Sequence, residues 1–204
     1  MKPARTDAGS HSWLRSANCD GRYGLALLAA LVLLLAPCAG GQAARELLRY
    51  QREPLAQMQW WRLASAHIVH LSPEHALLNC AGLVLLWMLF AREFTPRRWA
   101  WILCCAAGGI DAGLWFLRPA VSWYLGASGV LHGALAAGAV AWYRRRDGLG
   151  AALLLLLIVK LAYEQYSGAS LIEPDLPLLP DAHLFGVLGG LLGASLPRPH
   201  AKPL

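Results

Sequence analysis

Residues 126–142 read GASGVLHGALAAGAVAW, and Tyr143 and the triplet Arg144-Arg145-Arg146 follow at once. The stretch carries no charge and, at about 17 residues, is just long enough to cross the hydrocarbon core of a bilayer as a helix. The basic triplet marks a cytoplasmic end, because Lys and Arg accumulate in short cytoplasmic loops. Gly129 and Gly133 lie one helical turn apart, a small-residue stripe that lets a neighbouring backbone approach closely. Two polar side chains, Ser128 and His132, stand at the end opposite the arginines.

Five more apolar runs accompany this one, at about 23–39, 67–90, 99–117, 149–166 and 182–196. The expected fold is an all-α membrane protein, a six-transmembrane-helix bundle over residues 23–196. A flexible cytoplasmic tail (1–22) precedes it and a short one (197–204) follows. Composition agrees: 57% of the 204 residues are hydrophobic and only 15% charged, where soluble chains carry about a quarter charged residues. The net charge of +6 comes mostly from arginines between apolar runs. Orientation in a bilayer accounts for them, so the expected partner is lipid and not nucleic acid. The five cysteines form no C-x-x-C pair or zinc-like spacing and are read as small buried hydrophobes. The first run, with Lys2, Arg5, Arg15 and Arg22 ahead of it and small residues at 36–44, also fits a signal peptide. A retained helix is the preferred reading, and the remaining topology is the same either way.

Charges orient the bundle. Basic residues cluster in the amino-terminal tail, after the second run (Arg92, Arg97, Arg98), after the fourth (Arg144–Arg146) and in the carboxy-terminal tail (Arg198, Lys202). The loop between the fifth and sixth runs holds Glu173, Asp175 and Asp181 and no basic residue. Six spans with both termini in the cytoplasm place all four basic segments on one side. The exception is the long first loop, with Arg45, Arg49, Arg52 and Arg62 on the outer side. Its amphipathic character suits a hairpin lying on the outer leaflet.

In this topology the second, fourth and sixth runs all begin at the outer face, and their polar residues sit in those first turns. The second opens with His67, His70, His75 and Asn79; the fourth with Ser128 and His132; the sixth with Asp181 and His183. Polar side chains within a membrane bundle are functional candidates. A hydroxyl, several imidazoles and an amide at one depth are the parts that acyl transfer needs. Ser128 is the candidate nucleophile and His183 its general base. His75 and Asn79, four residues apart on one helix face, are able to aim two donors at an oxyanion, with the Ser128 amide as a third. Gly126 and Gly129 leave the backbone around the serine uncovered. Gly186 and Gly190 repeat the small-residue stripe below His183, so the fourth and sixth helices are expected to touch. A metal site at His70, His75 and Asn79 lacks the H-E-x-x-H arrangement, and the mechanism requires no metal or organic cofactor.

These residues resemble the rhomboid proteases. The H-x-x-x-x-H-x-x-x-N pattern stands as His70, His75 and Asn79, the G-x-S-G as Gly126, Ser128 and Gly129. The A-H-x-x-G-x-x-x-G stands as Ala182, His183, Gly186 and Gly190, and Trp61-Arg62 matches a pair in the family's first loop. The resemblance covers about residues 24–196. It implies a Ser128–His183 dyad, an oxyanion hole from His75, Asn79 and the Ser128 amide, and a structural role for His70. It also implies transmembrane protein substrates, admitted through a gate at the fifth helix.

Where many rhomboids have a tyrosine four residues after the serine, this chain has His132. That departure, in a short chain reading Gly-Ala-Ser-Gly-Val-Leu-His-Gly, is similar to the rhombosortases. These bacterial enzymes are thought to process proteins ending in a Gly-Gly motif, an apolar helix and basic residues. The resemblance implies a multi-pass protein of the bacterial inner membrane with its active site facing the periplasm. His132 is open to two readings, a ring stacked on His183 or a rival base. Lys160 and Glu164, spaced i to i+4, are expected to pair, and Asp111 requires an unidentified partner. Two other classes compete: a non-catalytic rhomboid-like protein that escorts membrane clients, and a small transporter using Asp111, Lys160 and Glu164. Inactive relatives typically lose the serine or the histidine, which this chain keeps, and a transporter's repeats and broken helices are missing.

Overall fold

The computed structural model describes residue 18, residues 20–168 and residues 179–195. Glu173, Asp175, Arg198 and Lys202 lie outside the described residues, as does most of the expected amino-terminal tail. The end of that tail is docked: the Asn18 amide donates to the Met88 carbonyl at 2.7 Å. Asp20 pairs with Arg92, whose guanidinium holds the carboxyl below its ordinary range.

The chain is predominantly helical. Helix α1 (Gly24–Leu35) leads through a 3-10 turn at Ala36–Gly40 into α2 (Gly41–Leu48). The first loop contains β1 (Tyr50–Gln51), α3 (Arg52–Ala56) and α4 (Trp61–Ser65). Helix α5 (Pro73–Phe90) and helix α6 (Pro96–Ala112) follow, the latter ending in a π turn at Gly113–Leu117. A two-residue strand, β2 (Trp123–Tyr124), precedes α7 (Ser128–Arg144), α8 (Gly148–Ser167) and α9 (Pro180–Ser195).

Local sequence sets the helix starts. Ser72 caps α5 by accepting from the His75 amide at 3.2 Å, and Pro73 occupies the first turn, where a missing N–H costs nothing. Thr95 and Pro96 repeat the device at α6, and Asp147 caps α8. Gly168, in the left-handed region at φ +69°, stops α8.

Four helical segments are long and apolar enough to cross a membrane among the described residues: Gly24–Leu48, Pro73–Phe90, Pro96–Leu117 and Gly148–Ser167. The protein is therefore an all-helical membrane protein. The runs expected at 126–142 and 182–196 do form helices, α7 and α9, but these have only 17 and 16 residues. Both are rich in glycine and alanine; α7 lies inside the bundle, and α9 packs into it along one face while Leu188 and Leu192 stay more than half exposed. Helix α9 packs chiefly against α6 and α7. Helix α8 does the opposite: Leu155, Leu156, Ile158 and Val159 are each more than half exposed, an apolar face suited to lipid.

The expected contact between α7 and α9 is present and unusually close. A Cβ placed on Gly186 would lie 2.1 Å from the Gly129 carbonyl oxygen, and one on Gly190 would lie 2.4 Å from that of Gly133. Only glycine permits this approach, so dispersion contact between backbones replaces side-chain interdigitation.

The first-loop arginines have a structural use. The buried Arg62 guanidinium donates to the Glu46 and Arg49 carbonyls at 2.8 and 2.9 Å, closing the carboxy-terminal end of α2. Arg45 donates to the Leu71 carbonyl, and Arg52 to those of Leu114 and Trp115. Strands β1 and β2 pair antiparallel, Tyr50 opposite Tyr124. The loop is thereby tied to the segment just before Ser128.

Candidate active site

The approach to Ser128 is held on two sides. The Gly126 amide donates to the Ala66 carbonyl, and the Tyr124 hydroxyl donates to the Gly126 carbonyl, each at 2.8 Å. Gly126 has φ +123°, a conformation that side-chain-bearing residues rarely adopt. The turn delivers Ser128 as the first residue of α7, so its own N–H is among the unpaired donors of the helix amino-terminus.

His183 lies in the first turn of α9. Asp181, two residues before it, takes a bidentate ion pair from Arg118 at 2.7 and 2.8 Å, which anchors that turn. The glycine seam then sets the depth at which α9 meets α7. The result is a His183 Nε2 that stands 2.9 Å from Ser128 Oγ.

The far side of the imidazole is also engaged. His183 Nδ1 lies 2.8 Å from Glu164 Oε2, and Lys160 Nζ donates to Glu164 Oε1 at 2.5 Å. An ionised carboxylate only accepts, so Nδ1 carries the proton and Nε2 presents a lone pair to the serine hydroxyl. A continuous chain runs from Ser128 through His183 and Glu164 to Lys160. Lys160 and Glu164 pair as their i to i+4 spacing predicts, and the pair reaches His183. The signal available was an acid and a base one turn apart inside an otherwise apolar run.

His132 stacks on His183, ring centroids 4.2 Å apart at 19°, and its Nδ1–H donates to the Ser128 carbonyl at 2.6 Å. Its ring is thus engaged with the serine's carbonyl, while His183 faces the hydroxyl. His75 lies on the other side of the serine. A Cβ built on Gly126 would sit 3.4 Å from His75 Cε1 and 3.9 Å from Ser128 Oγ. Asn79, one turn along α5, donates to the His75 carbonyl at 2.9 Å and keeps a second amide hydrogen. His70 packs edge-on against His75 with centroids 5.2 Å apart, at the junction of the first loop and α5. Ser128, His132, His183, His75 and Asn79 therefore meet at one place, with His70 against His75. Asp111 sits away from them and finds a partner in His67, 3.3 Å distant.

Ser128, His132, His183, His75 and Asn79 line the end of a cavity of about 660 Å³. Its remaining walls are mostly apolar, with Leu78, Leu85 and Leu89 from α5 facing Leu153 from α8. Helix α5 packs on α1 and α7, and α8 on α7 and α9, so a cleft is left between α5 and α8. The arrangement suits nucleophilic attack on a carbonyl brought in along an apolar chain. Among the described residues no three His, Cys, Asp or Glu side chains group as a metal site would require.

No curated protein matches this chain. The family model of the Rhomboid domain matches residues 57–198, which is more than half of the sequence and takes in α5 to α9 with Ser128, His132, His183, His75, Asn79 and Glu164. The chain accordingly belongs to the rhomboid family, whose members are generally intramembrane serine proteases.

Proposed function

We propose that the protein is an intramembrane serine endopeptidase that cleaves transmembrane substrates near the outer membrane face. The observation that carries this reading is the 2.9 Å approach of His183 Nε2 to Ser128 Oγ in the wall of an apolar cleft. Ser128 Oγ attacks the scissile carbonyl carbon as its proton passes to His183 Nε2. The carbonyl π pair moves onto oxygen, and the oxyanion is met by the Ser128 amide, His75 and the second Asn79 hydrogen. Collapse expels the amine, which takes the proton from His183 and leaves an acyl-enzyme on Ser128. Water, deprotonated by the same imidazole, then releases the new carboxyl terminus.

The bundle spans the membrane six times in this proposal, with α7 and α9 as the two shortest spans. Domain limits are 23–196, with cytoplasmic segments at 1–22 and 197–204. The chain resides in a bacterial inner membrane, both termini cytoplasmic and the serine facing the periplasm. Arg92, Arg97, Arg98 and Arg144–Arg146 support that orientation. The outer-side arginines do not oppose it, because Arg45, Arg52 and Arg62 are engaged on backbone carbonyls.

The substrates are exported proteins with a carboxy-terminal Gly-Gly, apolar-helix, basic tail, as for rhombosortases. His132 in the stacking position supports this. The test is co-expression with a reporter bearing such a tail, alongside Ser128→Ala, His183→Ala and His132→Ala. Tail removal should vanish in the first two variants and persist in the third. Cleavage that survives Ser128→Ala would sink the mechanism.

A further inference from the structure

We propose that Glu164 completes a Ser128–His183–Glu164 triad as the positioning residue for His183, with Lys160 as its counter-ion; this rests on the serine-protease reading above. Three observations carry it. Both carboxylate oxygens are committed, Oε2 to His183 Nδ1 and Oε1 to Lys160 Nζ. Glu164 is only 1% exposed, in the penultimate turn of a helix whose outward face is bare leucine, isoleucine and valine. And the imidazole it contacts is the one facing Ser128 Oγ.

A charge this deeply buried is costly, and a well-packed apolar pair joining α8 to α9 would stabilise the bundle as well or better. Packing therefore gives no reason for a carboxylate here, whereas proton transfer does. Before attack, Glu164 fixes the Nδ1–H tautomer and aims the Nε2 lone pair at the serine. During attack the Ser128 proton moves to Nε2 and His183 becomes a cation. Glu164 stabilises that cation through the existing Nδ1–H bond and takes no proton itself. Lys160 compensates the carboxylate between turnovers and holds its second oxygen, which prevents the side chain from swinging away.

The experiment uses the full chain in detergent and a fluorophosphonate as probe, so no substrate need be known. Saturation kinetics separate the maximal labelling rate from probe affinity, and thermal unfolding reports folding. Glu164→Gln should lower the maximal rate by about 100-fold or more while affinity stays within about twofold, as expected for a lost tautomer anchor. Glu164→Asp should recover much of the rate. The double variant Lys160→Met/Glu164→Gln, which leaves no lone buried ammonium, should match the single one. A folded Glu164→Gln or double variant that labels within threefold of the parent overturns the triad and leaves the Ser128–His183 reading intact. In the parent protein, ¹⁵N spectra should show His183 protonated at Nδ1 and bare at Nε2; the opposite tautomer overturns the triad whatever the variants do. If Ser128→Ala labels as fast as the parent, the protease reading fails, and the triad with it.

Discussion

The two sides of α7 are built on opposite principles. Toward α9 it presents Gly129 and Gly133, and the two backbones touch so closely that no Cβ fits between them. Toward α5 and α8 it presents Leu131, His132 and Leu135, and the partners stand far enough apart to leave about 660 Å³ of apolar space. Ser128 sits where the two sides meet. A seam without side chains has no rotamers to rearrange, so it holds Ser128 and His183 at a constant separation. A leucine-walled cleft has many, and it tolerates a guest. A rigid Ser128–His183 contact beside an adaptable cleft follows from the choice of glycine on one face and leucine on the other.

The seam is the place to break first. Gly186→Leu puts a side chain where even a Cβ would lie 2.1 Å from the Gly129 carbonyl oxygen. It should destabilise the bundle by on the order of 3 kcal/mol or prevent folding, read as the unfolding midpoint in detergent. A variant of unchanged midpoint would show that the helices are not in backbone contact.

The first loop covers both sides, and Arg62 is its tie. Arg62→Ala removes bonds to the Glu46 and Arg49 carbonyls and to Gln59, and should cost about 2 kcal/mol through the unsatisfied carbonyls left behind. Differential scanning fluorimetry checks it, with an unaltered midpoint as the contrary result.

Filling the cleft should separate stability from function. Leu135→Trp is expected to change stability by less than about 1.5 kcal/mol, since the space is open, yet slow substrate cleavage about tenfold by misplacing the incoming chain. Equal loss in fluorophosphonate labelling and in substrate cleavage would mean that the serine itself had moved. The smallest effect belongs to the outer face of α8. Leu156→Ala, at 64% exposure, should shift stability by less than about 0.5 kcal/mol in chemical denaturation, because its partner is lipid or detergent and not protein.

Membrane character, helix starts and candidate side chains were open to reading in the sequence because each depends on near neighbours. Ser72-Pro73, Thr95-Pro96 and Asp147 mark helix starts within three residues of chain. An uncharged, apolar stretch of seventeen residues ending in three arginines reads as a helix wherever it packs. The pairing of Lys160 with Glu164 is one turn of helix, hence local too. The two-residue strand pair was not legible, since Tyr50 and Tyr124 find each other across more than seventy residues and four helices. The same holds for His67 with Asp111, and for the outer arginines, whose acceptors are carbonyls that no side-chain pattern announces.

The site divides along the same line. Sequence alone was sufficient to single out Ser128, His183, His75, Asn79 and His132 as candidates, because a hydroxyl, imidazoles and an amide in apolar helices must be satisfied somewhere within the bundle. It grouped them at one depth and paired Ser128 with His183, but without their geometry. Which nitrogen of His183 faces the serine, which histidine stacks and which bonds, and that Glu164 stands behind the imidazole all depend on how α8 and α9 rotate about their axes. Long-range packing sets that rotation, through glycine contacts between helices distant in the chain, and periodicity within one helix carries no record of it.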